Sequence, residues 1–143
     1  MSNKKDLDRF LSAQEKDYRT AVTELEKGKK KSHWMWYIFP QIKGLGRSEV
    51  SAFYGITSLA EAEEYLHDPV LGSRLKYLCN VLLKLEKINA TEIFGKPDDL
   101  KLKSSMTLFA STTDADPIFE EVLHKYFNGE KDKLTIELLG KLY

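Results

Sequence analysis

Apolar residues recur at three- and four-residue steps along most of this chain, which is the spacing of one face of an α-helix. The first such stripe lies near the N-terminus and comprises Leu7, Phe10, Leu11, Tyr18, Val22 and Leu25. It predicts a long amphipathic helix. Gly28 follows the last apolar position and is expected to end this helix, because glycine readily adopts the left-handed conformation found after helix ends.

Similar stripes predict further helices downstream, the strongest of them over residues 69–86, where leucines dominate. Ser48, Ser58 and Asp132 stand where other helices would begin, and such residues are typical helix caps. No segment alternates apolar and polar residues with the turn spacing of a β-sheet. The chain therefore predicts an all-α fold, a single compact domain over residues 1–143 with six to eight helices, several of them short.

The stretch 31–46 is rich in aromatic residues and fits neither a helical nor a strand period. Because Pro40 disfavours helix at the residue before it, the stretch predicts either a short buried helix or an extended segment. Both tryptophans of the chain, Trp34 and Trp36, lie here. They are two positions apart and so point to different sides, which allows one to lie in the core and the other to line a cleft.

Composition and charge narrow the classes of function. The chain has 22 basic and 22 acidic residues, so it is not basic throughout as many nucleic-acid binders are. The segment from Gly28 to Arg47 nevertheless contains five basic residues and no acidic one. This block is either a solvated face or a local anion site.

Several kinds of site are disfavoured by the sequence. Cys79 is the only cysteine, which excludes an intrachain disulfide and a site with several cysteine ligands. No phosphate-binding loop, His-Glu-x-x-His pair or Gly-x-Ser-x-Gly turn is present, so we expect no metal site and no cofactor. The N-terminus lacks the apolar segment of a signal peptide and no apolar run is long enough for a membrane span, so we expect a cytoplasmic protein without membrane contact.

A few polar residues are candidates for function. His33 lies between a lysine run and two tryptophans, and histidine is suited to general acid/base catalysis near neutral pH; the alternative is a structural histidine. Gln14 is a polar residue in the first apolar stripe, either at a helix edge in contact with water or as a buried amide that reaches a partner or a ligand. Lys101 with Ser104 and Ser105 is open to three interpretations: a solvated polar face, a contact for an anion, and a serine nucleophile with a lysine base. The last needs a lysine of lowered pKa and is disfavoured, because Asp98 nearby would raise that pKa.

The chain resembles a family of small bacterial all-helical domains of uncharacterised function, some of which carry the label calpastatin, in our interpretation a wrong transfer. The resemblance rests on the motif His-Trp-x-Trp-x-x-Phe-Pro-Gln over residues 33–41 and on shorter matches from about Leu7 to Leu139. It implies an all-helical fold but no activity or cofactor. Polar positions of the family pattern occur at Arg9, Gln14, His33, Gln41, Ser48, Asp98, Lys101, Ser104, Ser105 and Thr107.

These observations favour an anionic small ligand, such as a nucleotide-derived metabolite, bound in a pocket around the His33–Gln41 stretch. The residues expected to hold it are Arg9, Gln14, Trp34, Trp36, Gln41, Lys101, Ser104 and Ser105. The alternative is a non-enzymatic module that binds protein or nucleic acid through the Lys27–Lys31 basic patch. A third interpretation is that the aromatic stretch is only a buried plug. Whether a reaction is catalysed, and the oligomeric state, are left open.

Overall fold

The all-helical fold is confirmed by a computed structural model, which describes residues 4–141. The nine helices of this part of the chain are α1 (Lys4–Glu26), α2 (Met35–Ile38), α3 (Glu49–Tyr54), α4 (Leu59–His67), α5 (Leu71–Lys84), α6 (Ala90–Phe94), α7 (Asp98–Ala110), α8 (Ile118–Phe127) and α9 (Lys133–Lys141). Six of them have at least nine residues, and α2, α3 and α6 are single short turns.

The helices begin and end at the capping residues that the sequence contains. Gly28 has a φ of +73° and follows α1. The hydroxyls of Ser48 and Ser58 accept hydrogen bonds from backbone N–H groups in the first turns of α3 and α4. The carboxylate of Asp132 accepts one from the backbone of Thr135 in α9. Each bond satisfies a donor that would otherwise have no partner at a helix start, which is why local sequence sets these ends.

One continuous hydrophobic core contains buried residues from every described helix except α3, whose Tyr54 is partly buried and packs against it. At its centre, α5 packs against α1, α4 and α8, and α7 packs against α4, α6, α8 and α9. The strong stripe over residues 69–86 therefore belongs to a central helix, as expected. Cys79 is buried on α5 with its Sγ atom 3.7 Å from Met106 Sδ, and burial raises the pKa of its thiol, so it is a packing residue.

The chain between α2 and α3 is held by backbone pairing rather than by helix. Lys43 N–H donates to the carbonyl of Ile56, and Ile56 N–H donates to the carbonyl of Gln41, both at 2.8 Å. This isolated parallel bridge between Ile42 and Ile56 fixes the loop that follows Pro40. It thereby fixes where Gln41 stands relative to α2.

No helix within residues 4–141 is both long and apolar enough to cross a membrane.

Candidate functional site

The two tryptophans occupy different environments. The Trp34 side chain is fully buried, between Phe39 and Phe94. Trp36 lies on the one-turn helix α2 and is only partly buried. The structure thus places Trp34 in the core and Trp36 at the surface, where its indole lines a cavity.

A single carboxylate, that of Glu24, holds Trp34 in its buried position. Glu24, near the end of α1, accepts hydrogen bonds from the Trp34 indole N–H at 2.9 Å, from the backbone N–H groups of Lys31 and Ser32, and from the Ser32 hydroxyl. Burial alone would raise the pKa of Glu24, but these hydrogen bonds outweigh it and lower the pKa to about 2. The charged carboxylate therefore holds the start of the aromatic stretch against α1.

The cavity beside Trp36 has a volume of about 240 Å³. We name it the Trp36 cleft, and its walls include Trp36, Gln41, Leu45, Lys101, Ser104 and Asp132. These residues come from α2, the loop after it, α7 and the start of α9, which are distant in the sequence. Leu100 and Leu134 also line the cleft and are 60% and 47% exposed, so its mouth is partly apolar.

Lys101 supplies the positive charge of the cleft. Its Nζ atom lies 3.8 Å from the centroid of the Trp36 ring, a cation–π contact, and 3.3 Å from Asp98 Oδ1. Asp98 is shared, because Lys30 Nζ lies closer to it, at 2.8 Å from Oδ2. The Lys30 side chain is almost buried and its pair with Asp98 is the shorter of the two, so one carboxylate is shared by two ammonium groups.

A second, much smaller cavity adjoins the cleft. It shares the walls formed by Trp36 and Gln41 and is closed on its far side by Ser51 and Tyr54. The loop that contains Gly46 lines both cavities and is tightly packed. A Cβ atom added at Gly46 would lie 2.8 Å from the Ser51 side chain. The Trp36 side chain therefore lies between the open cleft and a tightly packed part of the protein.

The other candidates from the sequence lie elsewhere. Arg9 pairs with Glu61 at 3.1 Å and donates to the carbonyls of Phe53 and Gly55. The Gln14 side chain is 1% exposed and donates to Tyr65 OH at 2.9 Å and to the carbonyl of Tyr37 at 2.8 Å. Both positions tie helices together and do not line the Trp36 cleft.

Two further candidates also stand apart from the cleft. His33 is exposed, not buried among the tryptophans, and is not among the residues that line the cleft. Ser105 is fully buried on α7, and its hydroxyl has no hydrogen-bond partner within the described residues. Of the predicted ligand-binding residues, the structure therefore brings together Trp36, Gln41, Lys101 and Ser104.

The sequence did not point to Asp132 as a residue of the site. It carried only the signal of a helix cap, and its carboxylate does accept from Thr135 N–H at 3.0 Å. Its backbone N–H donates to Thr107 Oγ1 at 2.9 Å, which joins the start of α9 to α7 beside the cleft. Within residues 4–141, no three His, Cys, Asp or Glu side chains are grouped as metal ligands would be.

Comparisons with known proteins agree with this description. The crystal structure of the conserved hypothetical protein Rv1873 from Mycobacterium tuberculosis matches this chain with a TM-score of 0.92 and 49% sequence identity, over 94% of this chain and 96% of that one. No curated protein matches the chain. The model of the family described as "Protein of unknown function (DUF1810)" matches residues 4–139. The chain therefore belongs to this family of uncharacterised proteins.

Proposed function

We propose that this protein binds a small ligand in the Trp36 cleft, and that the ligand joins one anionic group to a flat ring, as in a nucleotide-derived metabolite. The observation that carries the proposal is the position of Lys101, whose ammonium lies over the Trp36 ring at the wall of a cavity. If this ammonium moves from the ring to an anionic group, it leaves the aromatic face to a flat ring, so the pair suits a ligand with both parts.

The charges around the cleft limit the ligand's charge. Lys101 and Lys30 are balanced by Asp98 and Asp132, of which Asp132 lines the cleft. A ligand with several negative charges would gain from Lys101 but would be repelled by Asp132. We therefore expect one phosphate or carboxylate, held by Lys101, and not a triphosphate.

Polar groups near Lys101 provide further contacts. The Ser104 hydroxyl donates to the carbonyl of Leu100 at 3.2 Å, which leaves its oxygen free to accept from a ligand. Gln41 offers an amide with both donor and acceptor atoms beside the indole. These groups would orient a ring over Trp36, with the ammonium of Lys101 moving from the indole face towards the anionic group.

The size of the cleft agrees with a small ligand. Its volume of about 240 Å³ lies just below the range of about 300 to 1,000 Å³ that is usual for drug-sized ligands. A dinucleotide would extend well beyond it. The two exposed leucines at the mouth, Leu100 and Leu134, would contact any part of the ligand that projects outwards.

A thermal-shift experiment tests the proposal. The probes are adenosine 5′-monophosphate and benzoate, which carry both a flat ring and an anionic group, and ribose 5-phosphate, which carries the anionic group without an aromatic ring. A ligand at a hundred times its dissociation constant stabilises a fold by about 2.7 kcal/mol, which raises the melting temperature of a domain of this size by several degrees. We expect the probes that carry both parts to give the larger shifts.

Variants identify the binding site. Lys101→Met and Trp36→Phe should remove the shift, whereas Lys103→Met, on the same helix but outside the cleft, should keep it. A shift that survives both cleft variants would refute the Trp36 cleft as the binding site. Equal shifts with ribose 5-phosphate and adenosine 5′-monophosphate would refute the role of the ring.

The Lys27–Lys31 segment forms a different surface. Only Lys30 turns inwards, to Asp98 and to the Trp34 ring. The remaining lysines of the segment line a groove along α1 and take no part in the Trp36 cleft.

A further inference from the structure

A concavity larger than the Trp36 cleft lies along the C-terminal half of α1. It has a volume of about 760 Å³, and we name it the basic groove. Its basic side chains are Lys16, Arg19, Lys27, Lys29 and Lys31, and it contains one carboxylate, Glu24. Thr20 and Thr23 complete its lining.

Helix geometry explains why these residues share one surface. Lys16, Thr20, Thr23 and Lys27 follow one another at steps of four, three and four, so they lie along one side of the end of α1. Past the glycine turn at Gly28 the chain is not helical. There Lys29 and Lys31 face the groove, while Lys30 between them points into the protein.

The five cations of the groove are not paired with an anion in the part of the chain that the structure describes. Within residues 4–141, no ion pair includes any of them, whereas Arg9, Lys30 and Lys101 are each paired with a carboxylate. Glu24 is held by hydrogen bonds from Ser32, Lys31 and Trp34, and its one negative charge leaves the five cations in clear excess. The groove therefore presents a concentrated positive charge on a chain whose net charge is zero.

The helix dipole does not account for this charge. Cations near the end of α1 do stabilise its C-terminal carbonyls, and this could explain Lys27. The effect is limited to about the last turn. Lys16 and Arg19 lie two or more turns before Glu26, where the helix ends, so they gain nothing from it.

We propose that the basic groove binds the phosphate backbone of a nucleic-acid duplex, without sequence preference. Lysine, arginine and threonine are the residues that contact phosphates in such complexes. Protein–protein interfaces are instead depleted in lysine and enriched in aromatic residues. None of the described side chains that line the groove is aromatic, so it offers no surface on which unpaired bases could stack, which favours a duplex over a single strand.

Fluorescence anisotropy with a labelled DNA duplex of mixed sequence tests this site. Four to five phosphate contacts predict a slope of about −4 for the logarithm of the binding constant against that of the salt concentration. Binding should therefore weaken about 250-fold between about 50 and 200 mM salt. The triple variant Lys27→Gln, Lys29→Gln and Lys31→Gln should reduce the slope to about −1.3, and Lys16→Gln with Arg19→Gln should reduce it to about −2.2.

A matched control removes the same charge elsewhere. Lys84, Lys96 and Lys133 are exposed and lie apart on different parts of the fold, so their replacement by glutamine should leave duplex binding nearly unchanged. The proposal is overturned if the duplex does not bind at about 50 mM salt, or if the control triple weakens binding as much as the groove triple. Tighter binding of a single strand, or of polyglutamate, would also overturn it.

The basic groove is separable from the Trp36 cleft. Lys101→Met should abolish the ligand-induced thermal shift and leave duplex binding intact, and the groove triple should do the reverse. Loss of both activities in either variant would contradict two independent sites.

Discussion

The Trp34 indole N–H donates to Glu24 Oε1 at 2.9 Å, which fixes the side chain of Trp34 in the core. Because the two tryptophans are separated by one residue within a single turn, this bond also turns Trp36 outwards. The availability of Trp36 as a cleft wall thus depends on a carboxylate ten positions before Trp34 in the sequence.

Replacement of this carboxylate should lower stability. A glutamine at position 24 cannot accept all the bonds that Glu24 accepts, and hydrogen bonds to a charged group contribute about 1.5 to 3 kcal/mol. We expect Glu24→Gln to lower the free energy of unfolding by about 2 kcal/mol, measured by urea denaturation at neutral pH. Glu15→Gln, an exposed position on the same helix, is the control and should change it by less than about 0.5 kcal/mol.

The contribution of Glu24 should depend on pH. Its pKa is lowered from 4.5 to about 2, so the folded protein favours the charged form. The stabilisation is then fully present above the unfolded pKa of 4.5 and is lost as the pH falls towards 2. The stability gap between wild type and Glu24→Gln should shrink over this interval, and a gap that stays constant down to pH 2 would contradict the assignment.

Gln14 should behave as a structural residue. In Gln14→Leu the buried hydroxyl of Tyr65 loses the donor that lies 2.9 Å away, which should cost about 2 kcal/mol. In a Tyr65→Phe background that hydroxyl is absent, so the same substitution should cost about 1 kcal/mol less. Additive costs in this double-mutant cycle would show that the two side chains are not coupled. Ligand-induced thermal shifts should persist in Gln14→Leu.

Two glycines should respond to alanine in opposite directions. A Cβ atom at Gly72 would lie 2.1 Å from the backbone oxygen of Leu66, so Gly72→Ala should destabilise the protein by about 3 kcal/mol or more. Nothing lies within 4 Å of the equivalent position at Gly140 in α9, where alanine should stabilise the helix by up to about 1 kcal/mol. Melting temperatures of both variants check this contrast. A tolerated Gly72→Ala would mean that α4 and α5 do not approach so closely.

His33 should be dispensable for ligand binding. Its side chain is exposed and does not line the Trp36 cleft, so His33→Ala should change the free energy of unfolding by less than about 0.5 kcal/mol. The thermal shift with adenosine 5′-monophosphate should also be unchanged. If the shift disappears, His33 reaches the bound ligand, and the role of acid/base catalyst would be the next to test.

The sequence predicts the local features of this fold well. The helix start at Ser58 and the turn at Gly28 occur where expected, since their signals are caps and apolar spacing within a few residues. The central position of α5 follows from its leucines, because such a stripe must be covered on one side by other helices.

The site was only partly predictable, for physical reasons. Trp36, Gln41, Lys101 and Ser104 were identified because their residue types suit a ligand. Trp34 is held inwards by a hydrogen bond to Glu24, and Asp132, the carboxylate that lines the cleft, lies just before α9. Such contacts between distant segments leave no periodic signal in the sequence. For the same reason Gln14 could not be recognised as a partner of Tyr65.

The central claim is that the ligand binds against Trp36, and the indole N–H signals of a ¹⁵N-labelled sample test it most directly. The two tryptophans give two such signals, which Trp34→Phe and Trp36→Phe assign. Addition of benzoate or adenosine 5′-monophosphate should shift the Trp36 signal in a saturable way. The Trp34 signal, bonded to Glu24, should stay in place, and Lys101→Met should abolish the change. A Trp36 signal that neither probe moves, or a change unaltered in Lys101→Met, would contradict the account.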